Sequence, residues 1–109
     1  MLEAILGSTS SERVLLFIIS RNEGYATEIA QFYKTDLAPI QRQLDKLEAG
    51  GVLASRRAGR TRLYSFNPRC AFLKELKALL EKVMKFCPDD LKERLLMNRR
   101  RPRRRGKPL

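Results

Sequence analysis

Histidine is absent from this 109-residue chain, and cysteine occurs only twice, at Cys70 and Cys87. Metal-sensing sites draw on two or more suitably spaced Cys or His ligands, so no metal site is expected. The chain also lacks a glycine-rich phosphate loop and any carboxylate pair set beside a base, and Asp89-Asp90 suits a helix cap better than a catalytic centre. Neither an enzyme nor a cofactor is therefore expected. The most apolar run, VLLFII at 14–19, has six residues against the roughly 20 that span a bilayer. The opening MLEAILGSTSSE shows no charged leader or cleavage site, so a cytoplasmic protein without a membrane partner is expected. The cysteines lie 17 positions apart on what reads as one continuous helix, about 25 Å at 1.5 Å per residue, which is too far for an intrachain disulfide. Reduced thiols are expected, with a redox sensor or a Cys70 to Cys87 crosslink across an antiparallel dimer as alternatives.

What the chain has in excess is positive charge. There are 23 Lys and Arg against 12 Asp and Glu, a net charge of +11 and a pI near 10.4, which favours a polyanionic partner such as nucleic acid. Seven of those cations and no acid fall in the last eleven residues, RRRPRRRGKPL, leaving a net +4 for residues 1–98. The body is mildly basic and the tail supplies the excess. The length fits one domain with one modest core, expected over residues 1–97, followed by a basic tail at 98–109 that has too little apolar surface to order itself.

The hydroxyl-rich Ser8, Thr9, Ser10 and Ser11 precede Val14, Leu15, Ile18 and Ile19, which is helical spacing behind a supply of caps. Asn22-Glu23-Gly24 stops that helix. Thr27, Ile29, Ala30 and Phe32 predict a short second helix ending near Lys34. Asp36 is placed to cap a third, with Ile40, Leu44 and Leu47 on one apolar stripe and Gly50-Gly51 as its stop. Residues 52–57 and 61–66 read as two strands joined through Ala58-Gly59-Arg60 in a β-hairpin. Asn67-Pro68 then reads as a cap with proline at the first helical position. A long helix is expected from there to about Phe86, stopped by Pro88, with one more short helix from 89 to 97.

Helix, helix, turn, helix, hairpin, helix is the order of a winged helix-turn-helix, a mainly α fold with a β-hairpin wing. The third helix fits the reading element of that fold. Its stripe is buried, while Ala38, Gln41, Arg42, Asp45 and Lys46 spread over the opposite arc. Arg42 suits a bidentate contact to guanine, and Gln41 or Gln43 suits adenine or a phosphate. Pro39 lies in the first turn, where its missing N–H costs nothing. In the hairpin, Arg56, Arg57, Arg60 and Arg62 crowd two strands with no acid among residues 52–66, and they repel one another unless a polyanion is near. Such a wing suits a phosphate backbone or a minor groove.

Over residues 10–86 the chain resembles the ArsR-like winged-helix regulators, through "TEIAQ", "IQRQLDKLEAGGVLASRRAGRTRLYSFNP" and the hydrophobic helix that follows. Within that set it is most similar to the small winged-helix proteins found beside or fused to minimal nucleotidyltransferases, which open with "GS…R…LL" and close with "NPRCAFLKELKALL". The resemblance implies a transcriptional regulator, expected to be a repressor, that binds double-stranded DNA as a homodimer. It places the DNA-reading residues at 38–46, namely Ala38, Pro39, Gln41, Arg42, Gln43, Asp45 and Lys46. The wing falls on Arg56, Arg57, Arg60, Thr61 and Arg62, and contacts to the DNA backbone on Tyr25 and Thr27 at the start of the second helix.

The helix expected at 68–86 carries more apolar residues than a small core needs. Phe72, Leu73, Leu76, Leu79, Leu80 and Val83 are expected to form a dimer seam, the alternative being that the helix folds back on its own domain. Two competing functions remain open on sequence grounds. One is an accessory protein whose last long helix docks a protein partner such as a nucleotidyltransferase. The other is binding to nucleic acid of any sequence, RNA included, through tail and wing.

Overall fold

The structure is a computed structural model, and it describes residues 1–96. The expectations for the basic tail lie outside the described residues.

A short α1, Glu3–Leu6, ends at Gly7 and leads to α2, Thr9–Arg21. Ser8 caps α2 by accepting a hydrogen bond from the Ser11 backbone N–H through its side chain, as its place ahead of the apolar periodicity predicts. Five consecutive residues of α2, Val14 to Ile18, are buried. A helix with one apolar stripe would bury only some of them, so α2 is the central rod of the molecule. It touches α1, α3, α4, α5 and two of the strands.

After α2 the chain turns through Asn22, in the left-handed region at φ 74°, into a two-residue strand β1, Glu23–Gly24. The sequence predicts only a helix stop here. Gly24 is what lets the strand form, because a Cβ on it would lie 2.7 Å from the buried Phe17 ring. The helix-turn-helix follows as α3, Ala26–Tyr33, and α4, Leu37–Ala49, separated by Lys34 at φ 55°. The hairpin strands are β2, Leu53–Ala58, and β3, Thr61–Phe66. With β1 they make a three-stranded antiparallel sheet in the order β1-β3-β2.

The last long helix starts later than expected. Residues 67–72 form two successive turns, and α5 runs over Leu73–Lys85. The reason is local: the Asn67 side chain accepts from the Arg69 N–H at 3.0 Å and donates to the Gly51 carbonyl at 3.1 Å, while Cys70 N–H returns to the Asn67 carbonyl. Asn67-Pro68 therefore opens a β-turn tied to the end of α4, a role for which both residues are equally suited. Cys70 lies in these turns and Cys87 beyond the end of α5, so they do not share one helix; both are free thiols.

A further helix, α6, covers 89–96 and is anchored to the core through one buried residue. Leu95 is fully buried. The Arg94 guanidinium lies over the Phe32 ring and donates to the Phe32 carbonyl at 2.8 Å. Arg21, stacked on Phe17 and Phe32, donates to the Leu95 carbonyl at 3.3 Å. Arg94 thus satisfies a carbonyl at the C-terminal end of α3, and Arg21 one on α6. Among the described residues no helix is long and apolar enough to cross a membrane. The architecture is a winged helix-turn-helix.

Candidate nucleic-acid interface

Helix α4 is held by Ile40 and Leu44, both fully buried, with Leu47 packed half-buried beside them. The opposite side is open: Ala38, Arg42, Asp45 and Lys46 are exposed, and Pro39 and Gln41 are half-exposed. Gln43 departs from the expected reading face. Its side-chain carbonyl accepts a hydrogen bond from the Ser11 hydroxyl of α2, because position 43 falls on the flank of the buried stripe. It braces α4 against α2 through this bond. Arg42 forms no ion pair among the described residues.

The wing turns through the two-residue connection Gly59-Arg60, with Ala58 opposite Thr61. Gly59 takes the left-handed φ of 64° that this tight hairpin needs. Register sorts the arginines. Arg57 lies directly opposite Arg62, and Ser55 opposite Tyr64, so alternation puts all four on one face. That face is turned to α4, since Ser55 donates to Glu48 at 2.6 Å and Tyr64 reaches Asp45. Two guanidinium groups directly across an antiparallel pair repel, and the nearest relief among the described residues is one bond from Arg62 to the Ser55 hydroxyl at 3.1 Å. Arg56 is on the other face and pairs with Glu23 at 3.0 Å. The four arginines are therefore not all unopposed: β1, which the sequence reading missed, brings an acid to one of them. Thr61 spends its hydroxyl on the Ala58 carbonyl at the turn.

Between wing and reading helix is a concavity of about 360 Å³ lined by Tyr25 and Thr27 from the start of α3, Gln41 and Asp45 from α4, and Arg60, Thr61, Arg62 and Tyr64 from the wing. The structure thus brings together side chains from all three expected groups. Inside it, Gln41 Nε2 donates to Asp45 Oδ1 at 3.0 Å and to Tyr64 Oη at 3.3 Å, and Tyr64 Oη donates to Asp45 Oδ1 at 3.4 Å. Burial raises the Tyr64 hydroxyl above the usual tyrosine range, so it stays a proton donor at neutral pH. Tyr64 is absent from the sequence-based site. Its signal was the alternation that sets it on the same strand face as Phe66, two positions on.

The seam expected on α5 divides in two. Leu80 and Val83 are buried in the chain's own core, where α5 lies on α2, so they are not available to a partner; Leu76 is half-buried against that core. Leu73 is half-exposed. Phe72 and Leu79 are open, at 52% and 39% exposure, and Phe86 joins them at 65%.

No protein-family model matches the chain, and no curated protein does. Solved structures do. The transcriptional regulator BldR from Sulfolobus solfataricus is similar over 88% of this chain and 66% of its own, at 18% identity and a TM-score of 0.57. The homodimeric winged helix-turn-helix DNA-binding domain Mb0332 from Mycobacterium bovis, described as a possible ArsR-family transcriptional regulator, matches 77% of this chain and 75% of its own at 21% identity and a TM-score of 0.56. A double mutant of Lactococcus lactis ZitR in apo form matches 78% and 67% at 22% identity, with a TM-score of 0.54. At these identities the likeness is one of fold, and the fold shared is the winged helix-turn-helix.

Proposed function

We propose that the protein is a cytoplasmic, sequence-specific regulator of transcription that binds double-stranded DNA through α4 and the wing and acts as a repressor by covering a promoter. The observation that carries this is the Arg57–Arg62 pair, two like charges held opposite each other on the hairpin face that adjoins the exposed side of the reading helix. That arrangement costs the free protein stability and is relieved by phosphate. Arg42 and Lys46 extend the same basic surface along the helix.

The surface left on α5 supports a homodimer. Phe72, Leu79 and Phe86 recur every seven residues along one line from the N-cap to the C-cap of the helix. If a second copy packs antiparallel across Leu79, Phe72 meets Phe86 and Glu75 meets Lys82 at both ends. Two reading helices would then address successive major-groove segments about 34 Å apart on a near-palindromic site. The same exposed line is what a protein partner such as a nucleotidyltransferase would use in the accessory-protein reading, and light scattering separates the two: a dimer at tens of micromolar supports self-association, a monomer the other partner.

The test of DNA reading is selection from a random duplex pool, with sequencing of the retained fraction across a salt series and against single-stranded RNA. Enrichment of a near-palindromic duplex site that persists at physiological salt is expected. Uniform retention that vanishes with salt, or equal retention of RNA, contradicts it.

A further inference from the structure

The hydrogen-bonded trio between reading helix and wing constrains what α4 can say to a base. Gln41 Nε2 lies 3.0 Å from Asp45 Oδ1 and 3.3 Å from Tyr64 Oη, so its amide nitrogen is turned into the trio. The orientation of the amide is fixed chemically, because a carboxylate can only accept. A glutamine so held has its amine end occupied within the protein, which disfavours the paired donor-and-acceptor contact that glutamine offers to adenine and leaves its carbonyl oxygen as the group without a partner among the described residues. Asp45 adds to this: Oδ1 takes both internal bonds, while Oδ2 takes none among the described residues, and the residue is exposed on the reading face.

We propose that Gln41 and Asp45 form an acceptor-only reading site for an exocyclic base amine in the major groove, cytosine N4 or adenine N6, and that Tyr64 is the positioning residue that holds it. This rests on the DNA-binding reading above. Asp45 is otherwise an ill-suited group on a DNA-facing helix, since phosphates repel it, and a base amine is the group in the groove whose donation offsets that repulsion. The neighbouring side chain, Arg42, one turn before Asp45, has the opposite preference, for the two acceptors of guanine. Donor-seeking and acceptor-seeking side chains on adjacent turns read adjacent bases with opposite polarity. Tyr64 comes from β3, so the wing, besides meeting the backbone, fixes the rotamers of the base-reading side chains before any DNA arrives.

The experiment is the random-pool duplex selection run with the full chain, wild type beside Asp45→Asn and Tyr64→Phe. In the wild type, one position next to the guanine that depends on Arg42 should be cytosine or adenine. Asp45→Asn, which can turn an amine outward, should reduce that preference about tenfold and admit guanine or thymine, with melting temperature and salt slope unchanged. Tyr64→Phe should blur the same position while leaving the guanine position intact, a result that a merely structural tyrosine would not give. A wild-type preference for guanine or thymine there, or a cytosine or adenine preference that survives Asp45→Asn, overturns the inference and leaves DNA reading standing. A pool with no enriched position in any variant overturns both.

Discussion

Three residues decide much at the atomic scale. A methyl group on Gly24 would overlap the Phe17 ring, which is walled in on all sides. Gly24→Ala should therefore cost about 1–3 kcal/mol, read as a fall in Tm of about 5 °C or more. Tyr33 carries the opposite liability. Its hydroxyl is buried with no hydrogen-bond partner among the described residues, and burial pushes its pKa well above the usual tyrosine value. A raised folded-state pKa means the folded form holds its proton after the unfolded form has lost it, so stability is complete below about pH 10 and declines as pH rises past it. Tyr33→Phe should leave stability at pH 7 equal or slightly higher and reduce the alkaline loss, measured by denaturant unfolding at pH 7 and pH 11. An alkaline decline of unchanged size in the variant would assign it elsewhere. Arg42→Ala, on an exposed surface, should leave Tm alone and lower discrimination between DNA sites.

Helix and strand faces explain both what is legible in the sequence and what is not. The reading helix is plain, because Ile40, Leu44 and Leu47 announce a buried stripe and so an exposed opposite arc. Gln43 is not, since a wheel drawn for one helix does not say that α2 packs against that flank. The wing is legible as alternating strands around a glycine turn, yet β1 is hidden: two residues, Glu23 and Gly24, have no periodicity, and their pairing partners lie some forty residues away. The start of α5 is misplaced on sequence grounds because Asn-Pro caps a helix and opens a turn with equal ease. On α5 itself, Leu79 and Leu80 look alike in sequence and have opposite fates. Leu80→Ala should cost about 2–5 kcal/mol of stability. Leu79→Glu should preserve the fold and abolish the proposed dimer, checked by circular dichroism with light scattering; a variant still dimeric would exclude the proposed seam. In the wing, Arg57→Ala should raise the stability of the free protein by roughly 0.2–1 kcal/mol. The same change should lower the salt slope of DNA binding by about 0.9 for each phosphate no longer neutralised.

For the whole molecule the question is how charge divides between reading and tethering. Residues 1–98 contribute a net +4, and the last eleven residues carry the remaining seven charges. Seven cations with no acid among them suit phosphates irrespective of base, so deleting residues 99–109 should weaken binding to all duplexes alike and flatten the salt dependence, without changing the preferred site. In the proposed reading, discrimination comes from the constellation of Arg42, Gln41, Asp45 and Tyr64. The most direct measurement is a fluorescence-anisotropy titration of a selected duplex and its scrambled counterpart at physiological salt, for the full chain. A protein that reads sequence should bind the selected duplex at least about a thousandfold more tightly than the scrambled one, and Arg42→Ala should lose much of that ratio. Equal Kd values for the two duplexes, with both affinities falling together as salt rises, would contradict the account.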